Sequence, residues 1–367
     1  MTSVKRQRGL DAMKPYEPGK PIAEVQREYG LTDVIKLASN ENPSGPSPKA
    51  VAAIERALPG LNLYPDAQSY NLRQTIAERM GFELEQVSVG NGADGIITQL
   101  CLAYLDEESE VIVSRSSFPV YDRFTHTMRA KLVKTPLKDY GLDLEAMARA
   151  ITAKTKLIFV CNPNNPTGTI VTADEVDAFM ERVPGRVLVI FDEAYYEYVE
   201  AENYPDSLQY VREGRGNVLT MRTLSKSYGL AGVRLGYAIS TPEILAPLYQ
   251  VKEIFAVNLL AQAAGIAALQ DEDFLKQSVT ANRAGKRFLY GEFDRLGLDY
   301  VESHTNFILV KIGPRAAQVQ QRLLARGVIV RPCVNYGLPD FFRISIGSQA
   351  QNIRLIEALK KEVATNG

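Results

Sequence analysis

The sequence predicts an α/β protein with a large domain on a mainly parallel sheet covered by helices and a smaller α+β domain beside it. Three observations predict this. Short, wholly apolar runs (VSV, VIV, KLIFVC, RVLVIFD, NVLTM) alternate with segments that are apolar at helical spacing. Strands buried on both faces read as continuous apolar runs, and helical crossovers make their neighbours parallel. From Glu272 the pattern changes to a long polar-faced helix, the strand NFILV, a helix around QQRLLAR, the strand FRISI and a closing helix. Finally, 367 residues, 46% of them hydrophobic, exceed one average domain and suit two. The expected division is 46–270 for the large domain and 1–45 with 271–367 for the small one. The N-terminal segment, an arm with no sheet of its own to join, is assigned to the smaller domain as its partner.

The elements follow in order. Ser47 caps and Pro48 opens a helix through KAVAAIERAL, which stops at Pro59-Gly60. VSV leads into the helical ADGIITQLCLAYL, and VIV into FPVYDRFTHTM. KLIFVC is followed, after a turn, by a helix that the Thr172–Glu175 capping box starts. RVLVIFD and NVLTM are the next two strands.

Composition excludes several classes of function. Lys+Arg 42 against Asp+Glu 43 gives no overall reason to expect nucleic acid or an anionic membrane as partner. No apolar segment reaches the ~20 residues of a spanning helix. Lys5, Arg6 and Arg8 are followed by Asp11, Pro15 and Pro18 instead of the apolar core of a secretory signal. Three distant cysteines, Cys101, Cys161 and Cys333, form no disulfide framework and point to a reducing cytoplasm. With only His126 and His304 and no cysteine cluster, no metal site is expected. No G-x-S-x-G elbow marks a serine hydrolase.

VGNGADGIITQL raises a sharper question, because Gly90, Gly92 and Gly95 spell the dinucleotide-binding G-x-G-x-x-G between a strand and a helix. An NAD(P)-dependent oxidoreductase predicts an acidic residue at the end of the next strand, about 20 positions on. That strand ends in Ser114-Arg115, and Arg115 leaves an NADP reading as a distant alternative, one that gives no role to Lys226, Asp192 or NPNNPTG. A strand, a tight glycine turn and a helix N-terminus suit a phosphate in either case.

Three polar clusters directly follow strands of the large domain, where a doubly wound sheet opens onto its ligand crevice. NPNNPTG, Asn162 to Gly168, is a turn that presents rigidly held amides. In FDEAYYEY, Asp192 ends an apolar strand, where a carboxylate calls for a cationic partner such as a protonated ring nitrogen. In TLSKSYGLAGVRLGY, Lys226 lies among Thr223 and Ser225 with Arg234 eight residues on, a setting that suits an amine nucleophile. Each cluster alone is commonly structural. Together they provide what pyridoxal phosphate (PLP) requires: a lysine to bond it, an acid for its nitrogen, donors for its ring oxygen and an anion cradle.

With these motifs in view, the chain resembles the fold type I (aspartate-aminotransferase-like) PLP-dependent aminotransferases, and within them the histidinol-phosphate aminotransferase family. The resemblance runs from KPYEPGKP through LASNENPSGPSP, YPD, GNGADG, NPNNPTG, DEAYYEY, RTLSKSYGLAGVRLGY and VNLLAQAA to GVIVRP and FRISIGS. It implies the cofactor pyridoxal 5'-phosphate, bonded to Lys226, with Asp192 at the pyridine nitrogen and Asn165 and Tyr195 at the ring oxygen. It implies a phosphate held by Ala93, Asp94, Thr223, Ser225 and Arg234, and Phe118 stacked on the ring. Lys226, Asp192 and Tyr195 are the expected catalytic residues.

For substrates, the resemblance implies histidinol phosphate and glutamate with 2-oxoglutarate, exchanged in a ping-pong transamination of histidine biosynthesis. Arg343 would clasp the anionic group, with Arg331, Tyr16 and Asn42 as further substrate contacts. Tyr64 would reach the cofactor phosphate of a neighbouring subunit, making the enzyme a homodimer. The family pattern more often has an acidic residue at Gly95 and Phe at Tyr228. Aromatic amino acid aminotransferases and threonine-phosphate decarboxylases share most of these cofactor residues and are the nearest alternatives.

Overall fold

The computed structural model describes residues 4–13 and 19–363. Its strands in chain order are β1 (Ile35–Leu37), β2 (Val87–Asn91), β3 (Glu110–Ser114), β4 (Lys131–Thr135), β5 (Leu137–Lys138), β6 (Gly141–Leu142) and β7 (Thr155–Cys161), then β8 (Leu188–Asp192), β9 (Val218–Thr223), β10 (Leu235–Ser240), β11 (Tyr300–Val301), β12 (Phe307–Lys311), β13 (Val328–Cys333) and β14 (Leu338–Ser345). Seven of them form the large sheet in the order β2-β10-β9-β8-β7-β3-β4. Only β10 runs antiparallel to its neighbours, β2 and β9.

The apolar runs form strands because both faces of this sheet are covered. Ile158, Val160, Val189 and Phe191 pack into one core with the helices Pro48–Ala57, Tyr70–Met80, Ala173–Arg182 and Leu259–Leu269. The alternate residues Leu157, Phe159, Leu188 and Ile190 pack into a second core with the helices Gly92–Tyr104, Val120–Thr127 and Pro242–Val251. A strand with period two and apolar side chains on both sides reads as unbroken hydrophobicity. The sequence reading does not anticipate β4 or β10. β4, KLVKT, is an edge strand with exposed lysines, and β10, LGYAIS, directly follows the glycine-containing loop GLAGVR.

A second sheet, in the order β1-β13-β14-β12-β11, packs on the helices Glu272–Leu296, Ala316–Ala325 and Gln349–Val363. The N-terminal segment joins it through β1, which pairs in parallel with β13. β5 and β6 form a separate two-stranded ribbon.

Candidate active site

β7, β8 and β9 are consecutive parallel strands, with Cys161 opposite Asp192 and Asp192 opposite Met221. The three clusters therefore emerge side by side on one edge. They floor a cleft of about 270 Å³ whose opposite wall comes from Arg331 and Arg343 of the smaller sheet and from Tyr336 in the turn between β13 and β14.

Asp192, 3% exposed, ends β8. Its Oδ2 accepts a hydrogen bond from the Tyr121 hydroxyl at 2.5 Å and its Oδ1 one from the Ala194 amide at 3.2 Å. Burial pushes its carboxyl up to about 6, against the opposing pull of those two donors. The site lowers that cost further if it receives a cation. Tyr121 is locked by stacking on Phe159 at 4.4 Å and lies edge-on to Phe118.

Lys226 follows β9 by three residues. Burial, then the Arg343 and Arg234 guanidinium groups, bring its ammonium down to about 8. Neutral amine is thus available near that pH, as a nucleophile or base requires. Its Nζ sits 5.7 Å from the centre of the Tyr195 ring. The buried Tyr195 hydroxyl accepts from Asn40 Nδ2 at 2.9 Å. Asn165 Oδ1 accepts from Arg343 Nη1 at 2.7 Å.

The glycine turn forms an anion cup. Gly92 has φ +72°, and a Cβ there would come within 2.5 Å of Arg234 Nη2. Only glycine lets the guanidinium lie against the first turn of the helix Gly92–Tyr104. Arg234 Nη1 is 3.5 Å from Ser225 Oγ and Nη2 is 3.4 Å from Asp94 Oδ2, while Thr223 Oγ1 donates to Ser225 Oγ at 3.0 Å. Helix-start amides, hydroxyls and a guanidinium around one point suit a phosphate. A Cβ at Gly95 would make only ordinary contacts.

On the opposite wall, Arg343 Nη2 donates to the Ala38 carbonyl at 2.7 Å, and Nη1 is 3.4 Å from the Tyr336 hydroxyl. Its buried Nε has no hydrogen-bond partner among the described residues. Arg331 lies directly across from it in the β13–β14 register.

Of the residues singled out from the sequence, Ala93, Asp94, Phe118, Asn165, Asp192, Tyr195, Thr223, Ser225, Lys226, Arg234, Arg331 and Arg343 all line the cleft. Asn42 does not: its amide donates to the Ser227 carbonyl at 2.9 Å and to Ser278 Oγ at 2.8 Å, and Asn40 faces the site in its place. Tyr64 is 82% exposed, outside the cleft and stacked on Phe255 at 4.5 Å. Tyr16 lies outside the described residues. Sequence reasoning missed Tyr121, Asn40 and Tyr336. SSFPVY holds Tyr121 one helical turn after Phe118, the one local signal for it.

Chemically, the cleft combines a buried carboxyl at Asp192, an amide and a phenol at Asn165 and Tyr195, an anion cup and the amine of Lys226, a set that could receive a cationic ring bearing an oxygen and a phosphate. Among the described residues, no group of three or more His, Cys, Asp or Glu side chains could hold a metal ion. No described helix is long and apolar enough to cross a membrane.

Comparison with known proteins agrees with this geometry. Residues 32–359 match the family described as aminotransferase class I and II. The histidinol-phosphate aminotransferase of Moorella thermoacetica is 48% identical over 363 residues, covering 99% of this chain and 94% of that protein. Its counterpart in Symbiobacterium thermophilum is 45% identical, covering 98% of each. Among solved structures, the histidinol-phosphate aminotransferase of Sinorhizobium meliloti in complex with pyridoxal-5'-phosphate superimposes with a TM-score of 0.90 at 27% identity, over 100% of this chain and 99% of that one.

Proposed function

The chain belongs to the aminotransferase class I and II family, and from that premise we propose that it interconverts histidinol phosphate and 2-oxoglutarate with imidazole-acetol phosphate and glutamate, using pyridoxal 5'-phosphate. The observation that carries the substrate reading is the pair Arg331 and Arg343 in the cleft wall facing Lys226. One site must accept a phosphate monoester in one half-reaction and a dicarboxylate in the other. Two guanidinium forks serve both. The relatives named above, at 48% and 45% identity, carry the same activity in their names.

The residues present fit the cofactor. Asp192 is a buried carboxylate whose hydrogen-bond donors are a phenol and an amide, so a ring cation completes its environment. The Gly92–Arg234 cup suits its phosphate, and Phe118, which lines the cleft, would cover one ring face.

When bound, the cofactor supplies an electron sink for the charge left at the substrate carbon on deprotonation. Asp192 would keep the ring nitrogen protonated, the condition for that sink. Asn165 and Tyr195 would hold the ring oxygen, and the cup amides with Thr223, Ser225 and Arg234 would fix the phosphate. Lys226 Nζ would be the amine that bonds the cofactor, and, when free, the group that takes the proton from the substrate's amino-bearing carbon as base and gives it back as acid. Arg343 and Arg331 orient the substrate's distal anion so that this carbon lies within reach of Lys226. In a ping-pong exchange the same cleft, with the same two arginines, would receive glutamate and the phosphate-bearing substrate in turn.

The working unit in this reading is a homodimer. Tyr64 projects from a surface that also exposes Leu61, Leu63, Ile254 and Phe255, and the neighbouring Lys252 Nζ is buried without a hydrogen-bond partner. An apolar surface of this kind suits a second copy of the chain, whose cup Tyr64 would enter. A stable, fully active monomer would contradict it. The buried, unpaired cysteines suit a cytoplasmic protein.

The substrate is tested by steady-state kinetics with 2-oxoglutarate as acceptor. Histidinol phosphate should show a kcat/KM well above that of phenylalanine. The reverse order would make the protein an aromatic amino acid aminotransferase.

A further inference from the structure

Beneath the cleft, and absent from its lining, lies a buried arginine, Arg222, at the penultimate position of β9. Its Nε and Nη2 donate to Glu193 Oε2 at 2.8 and 2.7 Å, in a pair only a few per cent exposed on either side. Glu193 directly follows Asp192, and its other oxygen accepts from Ser207 Oγ at 2.5 Å.

The central carbon of the same guanidinium lies over the Tyr196 ring, 3.5 Å from its centre. Tyr196 packs against Tyr204, whose hydroxyl donates to the carbonyl of Asn162, the first residue of NPNNPTG. On a third side Arg222 faces the charge of Glu197. Glu197 Oε2 accepts from Ser227 Oγ at 3.0 Å, and Ser227 directly follows Lys226.

All three strand-end clusters are thus tied to a single side chain, through the residue after Asp192, the residue after Lys226, and Asn162 at the head of the turn that carries Asn165. We propose that Arg222, which touches neither cofactor nor substrate, is a positioning residue that holds Asp192, Lys226 and the Asn162–Gly168 turn in one geometry. The physical case is one of consequence. Two carboxylates, Glu193 and Glu197, stand beside the strand ends behind Asp192, and without Arg222 their charge would be uncompensated in a buried setting. Their charge would also weigh on Asp192, which Glu193 already pushes toward protonation. A rigid fork plus a ring stack restrains direction as well as charge, which a lysine could not do.

The inference rests on the reading of Lys226 as the cofactor-bearing lysine, and the test separates the two. Wild-type protein that takes up no PLP would defeat that reading. Wild-type uptake with unperturbed variants would defeat the inference alone.

The variant Arg222→Met/Glu193→Gln removes both partners of the buried pair and so leaves no stranded charge between them. In the PLP-loaded protein its kcat should fall at least about tenfold with KM for histidinol phosphate within about twofold, as a misplaced reacting group requires. The pH midpoint of the cofactor absorbance change should also move by about half a unit or more. A folded double variant with wild-type kcat and absorbance titration, or one altered only in melting temperature, would overturn the proposal. Should the double variant not fold, Glu197→Gln carries the test through the Ser227 arm. A displaced midpoint supports the proposal, and an unchanged one overturns it.

Discussion

Arg331 and Arg343 stand directly opposite each other on β13 and β14, both in the wall of the cleft. Like charges paired across neighbouring strands repel. A bound anion turns that repulsion into attraction, so the pair is poised for a ligand. Arg343→Gln should therefore lower kcat/KM for both glutamate and histidinol phosphate by about 100-fold or more, within the range for truncating one partner of a buried charge contact. Arg331→Gln should cost histidinol phosphate and glutamate more than phenylalanine. Parallel steady-state assays with the three amino donors check both.

Tyr121→Phe removes one hydroxyl and little packing, since the ring stays stacked on Phe159. Asp192 then loses the donor that opposes the rise of its carboxyl above 6. A hydrogen bond to a charged group is worth about 1.5–3 kcal/mol, so PLP affinity should fall roughly tenfold to a hundredfold. Equilibrium titration of the cofactor-free protein with PLP measures it.

The two glycines of the turn should separate cleanly. Gly92→Ala forces a side chain onto φ +72° and against Arg234, so cofactor binding should weaken at least about tenfold while the fold persists. Gly95→Ala meets only ordinary contacts and should bind PLP as the parent does. Side-by-side titrations decide whether the third glycine of the dinucleotide-like pattern has any part in holding the phosphate.

In the cofactor-free protein, Asp192 titrates near 6 against an ordinary carboxyl value of 3.8. Between those values the native state keeps a proton that the unfolded chain has released, so this group's contribution to stability falls as pH rises through about 4 to 6. Cofactor-free Asp192→Asn should match the parent below pH 4 and exceed it above pH 6 by an amount on the order of 3 kcal/mol. Urea unfolding on both sides of that window reads the difference.

Much of the fold and the site was legible because it rests on local signals. Continuous apolar runs marked the central strands, and each polar cluster follows its strand in sequence, so parallel neighbours had to bring Asn165, Asp192 and Lys226 together. What escaped depends on contacts that no local pattern carries. Tyr121 sits in an ordinary amphipathic helix and meets Asp192 only because that helix packs on the sheet. In SNENP the sequence offers two asparagines. Asn40, at φ +55°, reaches the site while Asn42 turns its amide to Ser227 and Ser278. β1 and β4 are edge strands, and β4 has two exposed lysines, Lys131 and Lys134, among its five residues, which hides it among loop-like residues.

The central claim is that Lys226 carries the cofactor and that histidinol phosphate gives up its amino group there. The most direct measurement mixes PLP-loaded protein with histidinol phosphate in the absence of any 2-oxo acid and follows the absorbance and the products of a single turnover. The account predicts loss of the yellow colour with one imidazole-acetol phosphate formed per site, and borohydride trapping of the resting cofactor on Lys226 alone. Lys226→Ala should form no product at a comparable rate. A persistent colour with no product from wild-type protein, or full turnover by Lys226→Ala, would contradict it.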